Sequence, residues 1–117
     1  MERTVILYHG NCPDGFGGAY AAWKKFGNSA SYIAYGRDMQ APNPELFRGK
    51  EVYVLDYSFT EEEMKAYEKE AKLFMVIDHH ATVEAAVKSL TNHVFTNDFS
   101  GAYLSWQYFH PELPVPK

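Results

Sequence analysis

Short runs of β-branched and aliphatic residues recur along the chain, and most are followed by a stretch of helical character. This alternation constrains the fold more than any other feature. "TVILYH" (4–9), "ASYIAYG" (30–36), "EVYVLDYS" (51–58), "LFMVID" (73–78) and "HVFTND" (93–98) read as buried strands. Helical segments fall between and after them. "FGGAYAAWKKFG" sets Phe16, Tyr20, Trp23 and Phe26 near one face and ends on Gly27, a C-cap residue. "TEEEMKAYEKEAK" opens with Thr60 and Glu63, a capping-box spacing. "TVEAAVKSL" (82–90) reads as a short helix, and "SGAYLSWQYFH" (100–110) as a helix stopped by Pro111. Only "RDMQAPNPELFRGK" lacks a period, and it reads as a loop with a turn of helix around Pro44–Phe47. Apolar strands linked by crossover helices predict an α/β fold: an open, mainly parallel five-stranded sheet with helices on both faces. The chain has 117 residues, with no internal repeat or linker, so the expectation is a single domain over 1–117.

The polar residues mark one edge of that sheet. His9 ends the first strand and Asp14 sits in the turn after it. Asp56 ends the third, Asp78, His79 and His80 follow the fourth, and Asp98 follows the fifth. Ligands of open α/β sheets bind at the carboxyl ends of the strands, so these residues should gather although they are distant in sequence. Carboxylates that meet there repel one another, a cost that divalent cations remove. Mixed His and Asp donors suit Mn²⁺, Fe²⁺ or Zn²⁺ better than Ca²⁺. A strand-end aspartate bridging two cations would serve phosphoryl transfer. The "CPDGFGG" turn adds backbone N–H groups at a helix start, and its Gly15 and Gly17 would let a phosphate come close.

Each residue also has a structural alternative. A lone strand-end Asp such as Asp56 is more often a turn or cap residue than a ligand. Asp98 in "NDFSG" would make a good helix cap. His9 taken alone is a packed histidine as readily as a ligand. His93 and His110 fall outside the cluster and are expected to be structural or surface residues. The aromatic stripe of the first helix reads as core rather than as a platform for stacking bases. What favours a site is the coincidence of the strong candidates at strand ends on one side of the sheet.

The same residues resemble the motifs of the DHH phosphoesterase superfamily. "DHH" at 78–80 after an apolar strand looks like the motif that names it. "YHGNCPDGFGGAYAAW" (8–23) looks like its first motif, "VYVLDYSF" (52–59) like its second and "NDFSGAYLSWQYF" (97–109) like its fourth, the loosest match. The resemblance spans nearly the whole chain in the family's order. It implies a catalytic domain holding two divalent cations, usually Mn²⁺, with Zn²⁺, Fe²⁺ or Mg²⁺ as alternatives. His9 and Asp56 would hold one. Asp14, Asp56, His79 and Asp98 would hold the other, with Asp56 bridging. His80 would meet the substrate phosphate, and Asp78 would orient the histidines. Two departures stand out. Cys12 occupies a position where the family usually has Asp, and a thiolate there is a further candidate metal ligand. The family's smaller C-terminal substrate-binding domain has no counterpart here. The chain would then be an N-terminal portion, a short stand-alone form, or one copy completed by a partner, a homo-oligomer included.

Charge narrows the substrate. The formal net charge is −4, with no basic stripe, which disfavours processive handling of long nucleic acid. The expected substrate is a small phosphoester: a short oligonucleotide, a dinucleotide, a short single strand or a polyphosphate. The alternative is a regulatory module of the same fold that binds metal or nucleotide with weak or no turnover. Cys12 is the only cysteine, so no internal disulfide forms. "MERTVILYHG" lacks a signal-peptide core, and no apolar run approaches a membrane span. The expectation is a cytoplasmic protein with no membrane partner.

Overall fold

The structure is a computed structural model that describes residues 3–10, 13–36, 39–80, 83–95 and 100–113. Its elements run β1 (Thr4–His9), α1 (Pro13–Phe26), β2 (Ala30–Tyr35), β3 (Glu51–Leu55), α2 (Glu61–Glu70), β4 (Leu73–Asp78), α3 (Glu84–Lys88), β5 (Asn92–Phe95) and α4 (Gly101–Phe109). All four strand pairings are parallel, in the order β2-β1-β3-β4-β5. The α/β sheet expected from the alternation is therefore present. The chain winds outward from β1 to β2, then returns to place β3 on the other side of β1. The carboxyl ends of β1 and β3 form the topological switch point, where such sheets open a crevice.

Strand residues alternate between two cores because the pleat turns successive side chains to opposite faces. Val5, Leu7, Val52, Val54, Phe74 and Val76 pack with Met64 and Tyr67 of α2, Val87 of α3 and Leu90 just beyond it. Ile6, Tyr53, Leu55, Met75 and Ile77 pack with α1 and α4 through Ala21, Ala22, Leu104, Trp106 and Phe109. Burial on both faces is what makes the strands continuously apolar in sequence. The Thr60–Glu63 capping box is formed in both directions and starts α2. Gly27, at φ +56°, ends α1 in the left-handed conformation that glycine adopts most cheaply. Pro44–Phe47 forms a short 3-10 turn within the long loop.

One expectation fails. Phe16, Tyr20 and Trp23 are not core residues: they are 71%, 44% and 50% exposed. Only Phe26 packs inward, against Tyr53 and Phe109. The buried stripe of α1 consists instead of small residues. A Cβ on Gly17 would lie 2.6 Å from the Ala102 side chain, and one on Gly18 would lie 3.0 Å from Ser105 Oγ. Small residues let α1 and α4 approach closely, and the helical period then carries the aromatics to the opposite face. β3 also stops at Leu55, short of the expected Ser58, because Asp56 leaves extended geometry. Among the described residues, no helix is long and apolar enough to cross a membrane.

Candidate metal centre

Asp56 sits where the crevice opens. Its backbone N–H still donates to Ile77 O of β4 at 2.8 Å, but its φ is +58°. Among the described residues it is the only non-glycine in the left-handed region. That conformation costs an L-residue roughly 1–2 kcal/mol, less for Asp and Asn than for most. The carboxylate is 1% exposed. Its two oxygens face different imidazoles: Oδ1 is 2.7 Å from His79 Nε2, and Oδ2 is 3.6 Å from His9 Nδ1. His9 comes from the end of β1 and His79 from just beyond β4, so three adjacent central strands converge on one buried carboxylate. His9 Nδ1 is buried and makes no hydrogen bond among the described residues. A buried ring nitrogen in that state is costly unless something else satisfies it.

Asp78 has a different environment. It is also 1% exposed, but its oxygens are fully engaged. Oδ2 accepts from Ser58 Oγ at 2.6 Å. Oδ1 accepts from the backbone N–H groups of His79 and His80 at 2.7 and 3.2 Å. It also lies 2.6 Å from His80 Nδ1. A carboxylate only accepts, so Nδ1 carries the proton, and Nε2 of His80 accepts in the neutral ring and donates in the imidazolium. The His80 side chain is 44% exposed, and its ring stands beside that of His79 at 4.3 Å between centroids.

Asp56, Asp78, His79 and His80 each present a ligand-type atom, all within 4.8 Å of one another. Proximity alone would make Asp78 a ligand, but its saturated hydrogen bonds make it the support that fixes His79 and His80. Of the other donors, Asp56 Oδ1 and His79 Nε2 lie 2.7 Å apart with the His80 ring beside them, and His9 faces Asp56 Oδ2 at 3.6 Å from outside that group. His9, Asp56, Tyr57, Ser58, Asp78, His80 and Val83 line a cavity of about 190 Å³. A larger cavity of about 450 Å³ between residues 40–44 and α2 holds no histidine and no strand-end residue. Size and donor chemistry thus point to different cavities, and the smaller one carries the His and Asp donors.

Sequence reasoning thus places His9, Asp56, Asp78, His79 and His80 together, and the structure brings them together. Cys12 and Asp98 lie outside the described residues, and Asp14 is described only by its backbone in α1. For Gly15 and Gly17, packing accounts for the missing side chain. A Cβ on Gly15 would fall 2.0 Å from the His9 carbonyl oxygen, and Gly17 abuts Ala102. His93 and His110 are structural, their ring nitrogens meeting the carbonyls of Leu90 and Ala21, both at 2.9 Å. Ser58 is the residue that sequence reasoning missed. Its only signal was its place two residues after Asp56.

No family model matches the chain. It is 31% identical over 131 aligned residues to an uncharacterized protein of Acanthamoeba polyphaga mimivirus, an alignment covering 99% of this chain and 31% of that protein. The crystal structure of an uncharacterized protein from Helicobacter pylori G27 superposes with a TM-score of 0.70 at 12% identity, covering 100% of this chain and 39% of the other. At that identity the likeness bears on the fold. The chain spans about a third of the length of the viral relative and about two fifths of the H. pylori protein.

Proposed function

We propose that the chain is a DHH-type catalytic domain that hydrolyses a phosphodiester or phosphoanhydride bond with two divalent cations, Mn²⁺ foremost. The observation that carries this reading is the buried Asp56 carboxylate, whose two oxygens address His79 and His9 separately. A separate imidazole at each oxygen is what a carboxylate shared between two cation sites would need. His9 with Asp56 Oδ2 and His79 with Asp56 Oδ1 would be the nuclei of the two sites. When bound, the cations would supply a nucleophilic water near neutral pH and stabilise charge on the phosphate oxygens.

The chain's own residues do the positioning. Asp78 locks the His80 ring through Nδ1, so Nε2, as the N–H of the protonated ring, would donate to a phosphate oxygen or a leaving group at the crevice. Ser58 holds Asp78 from the far side. The left-handed turn at Asp56 fixes its carboxylate in advance of binding, so little reorganisation is needed when charge develops. The burial of Asp56 keeps solvent from competing for its oxygens.

Hydrolysis of a panel of small phosphodiesters and polyphosphates with added Mn²⁺, alongside Asp56→Ala, tests the reading. Turnover that requires the cation and vanishes in the variant is expected. Turnover that persists in Asp56→Ala would overturn it.

A further inference from the structure

The exposed face of α1 is the surface feature that this site leaves unexplained. Phe16, Tyr20 and Trp23 share one side of the helix with exposed Lys24 next to them, whereas Lys25 points the other way, over the inward-packed Phe26 ring at 5.9 Å. We propose that this face is a stacking track for the bases of a short single strand of nucleic acid whose scissile phosphate lies at the strand-end site. The cleavage part rests on the function proposed above; the binding part does not.

Spacing, rigidity and charge support this occupant. Four residues of helix rise about 6 Å and three about 4.5 Å. The rings therefore repeat somewhat more widely than the roughly 3.4 Å of stacked B-form bases, as an extended single strand does. The Tyr20 ring is already held parallel to Trp106, with centroids 6.4 Å apart and planes at 13°, so ordering it on binding costs little. Phe16 sits one turn into α1, which follows directly from the His9 end of β1, so the track starts at the site end of the sheet.

The charge of the chain is also unevenly placed. α1 and α4, which share a face, carry only Asp14, Lys24 and Lys25 as charged residues. α2 and α3, on the other face, carry Glu61, Glu62, Glu63, Glu68, Glu70 and Glu84 against three lysines. The negative charge that argues against nucleic acid thus lies largely across the sheet from the aromatics. A second copy of the chain is the poorer occupant. Three aromatic side chains at these exposures present roughly 250–400 Å², whereas a stable dimer buries about 800 Å² per partner.

The test is anisotropy of a fluorescein-labelled oligodeoxythymidylate octamer with the full chain, in chelator and at low salt. Phe16→Ala and Trp23→Ala should each weaken binding about tenfold. Lys24→Gln should flatten the salt dependence by about 0.7 in slope, and Lys25→Gln should leave it unchanged. An abasic octamer that binds equally well, or aromatic variants that bind normally, would overturn the track. So would an absence of octamer binding together with self-association that Trp23→Ala abolishes. Hydrolysis of bis(4-nitrophenyl) phosphate, too small to reach Trp23 from the site, separates the two proposals. Its turnover without octamer binding overturns the track alone. Octamer binding without turnover of any ester supports the track and overturns the catalytic reading.

Discussion

Asp56 allows a comparison that isolates its backbone geometry from its chemistry. Asp56→Ala and Asp56→Gly both remove the carboxylate from between His9 and His79, so that loss cancels between them. What remains is the left-handed φ of +58°. Alanine there bears roughly 1–2 kcal/mol that glycine avoids. Glycine gives back roughly 0.4–1 kcal/mol through the greater freedom of its unfolded chain. The glycine variant should therefore be more stable by about 1 kcal/mol. For 117 residues the unfolding entropy is about 0.25 kcal/mol/K, so the melting temperatures should differ by about 4 °C. Thermal denaturation followed by circular dichroism in chelator reads the difference without involving any metal. A melting temperature for Asp56→Ala equal to or above that of Asp56→Gly would refute the strained geometry, and with it the claim that the carboxylate is held ready in advance.

Two further perturbations probe the surroundings. Ser58→Ala removes the 2.6 Å bond to Asp78 Oδ2, which should cost about 1.5 kcal/mol in chemical denaturation and weaken Mn²⁺ affinity 10–100-fold; unchanged affinity would mean that Asp78 does not govern the site. Burial, aided by Tyr108 and Glu51, pushes the Tyr53 hydroxyl up to about 12 from the ordinary 10.0, and burial raises Tyr67 as well. The folded state then keeps protons that the unfolded state releases, so stability is full below pH 10 and falls as pH rises toward 12. The urea midpoint should drop between pH 9.5 and 11.5, and less so in Tyr53→Phe; a flat midpoint would contradict the burial of these hydroxyls.

The sheet was legible because burial on both faces leaves a plain mark, a continuous apolar run such as "LFMVID" between helical segments. The gathering of polar residues was legible for the same reason in reverse: His9, Asp56 and the Asp78–His80 triplet interrupt those runs at their carboxyl ends, and strand order alone brings them together. Two things were hidden. The seating of α1 depends on Gly15, Gly18, Ala21 and Ala22, and small residues carry almost no hydrophobic signal, so the aromatic stripe looked like the buried one. The different surroundings of Asp56 and Asp78 were open on the residues alone, since two strand-end aspartates look alike. They are set by Ser58 and two backbone N–H groups that engage Asp78, and by a left-handed turn that sets Asp56 between two histidines.

The account stands on Asp56 being shared between two cation sites. Titration of the metal-free chain with Mn²⁺, counting bound ions by the loss of the free-ion paramagnetic resonance signal, tests that claim most directly. Two ions per chain are expected for the native sequence and none for Asp56→Ala, with the fold of the variant intact by circular dichroism. Retention of the native stoichiometry in Asp56→Ala would contradict it.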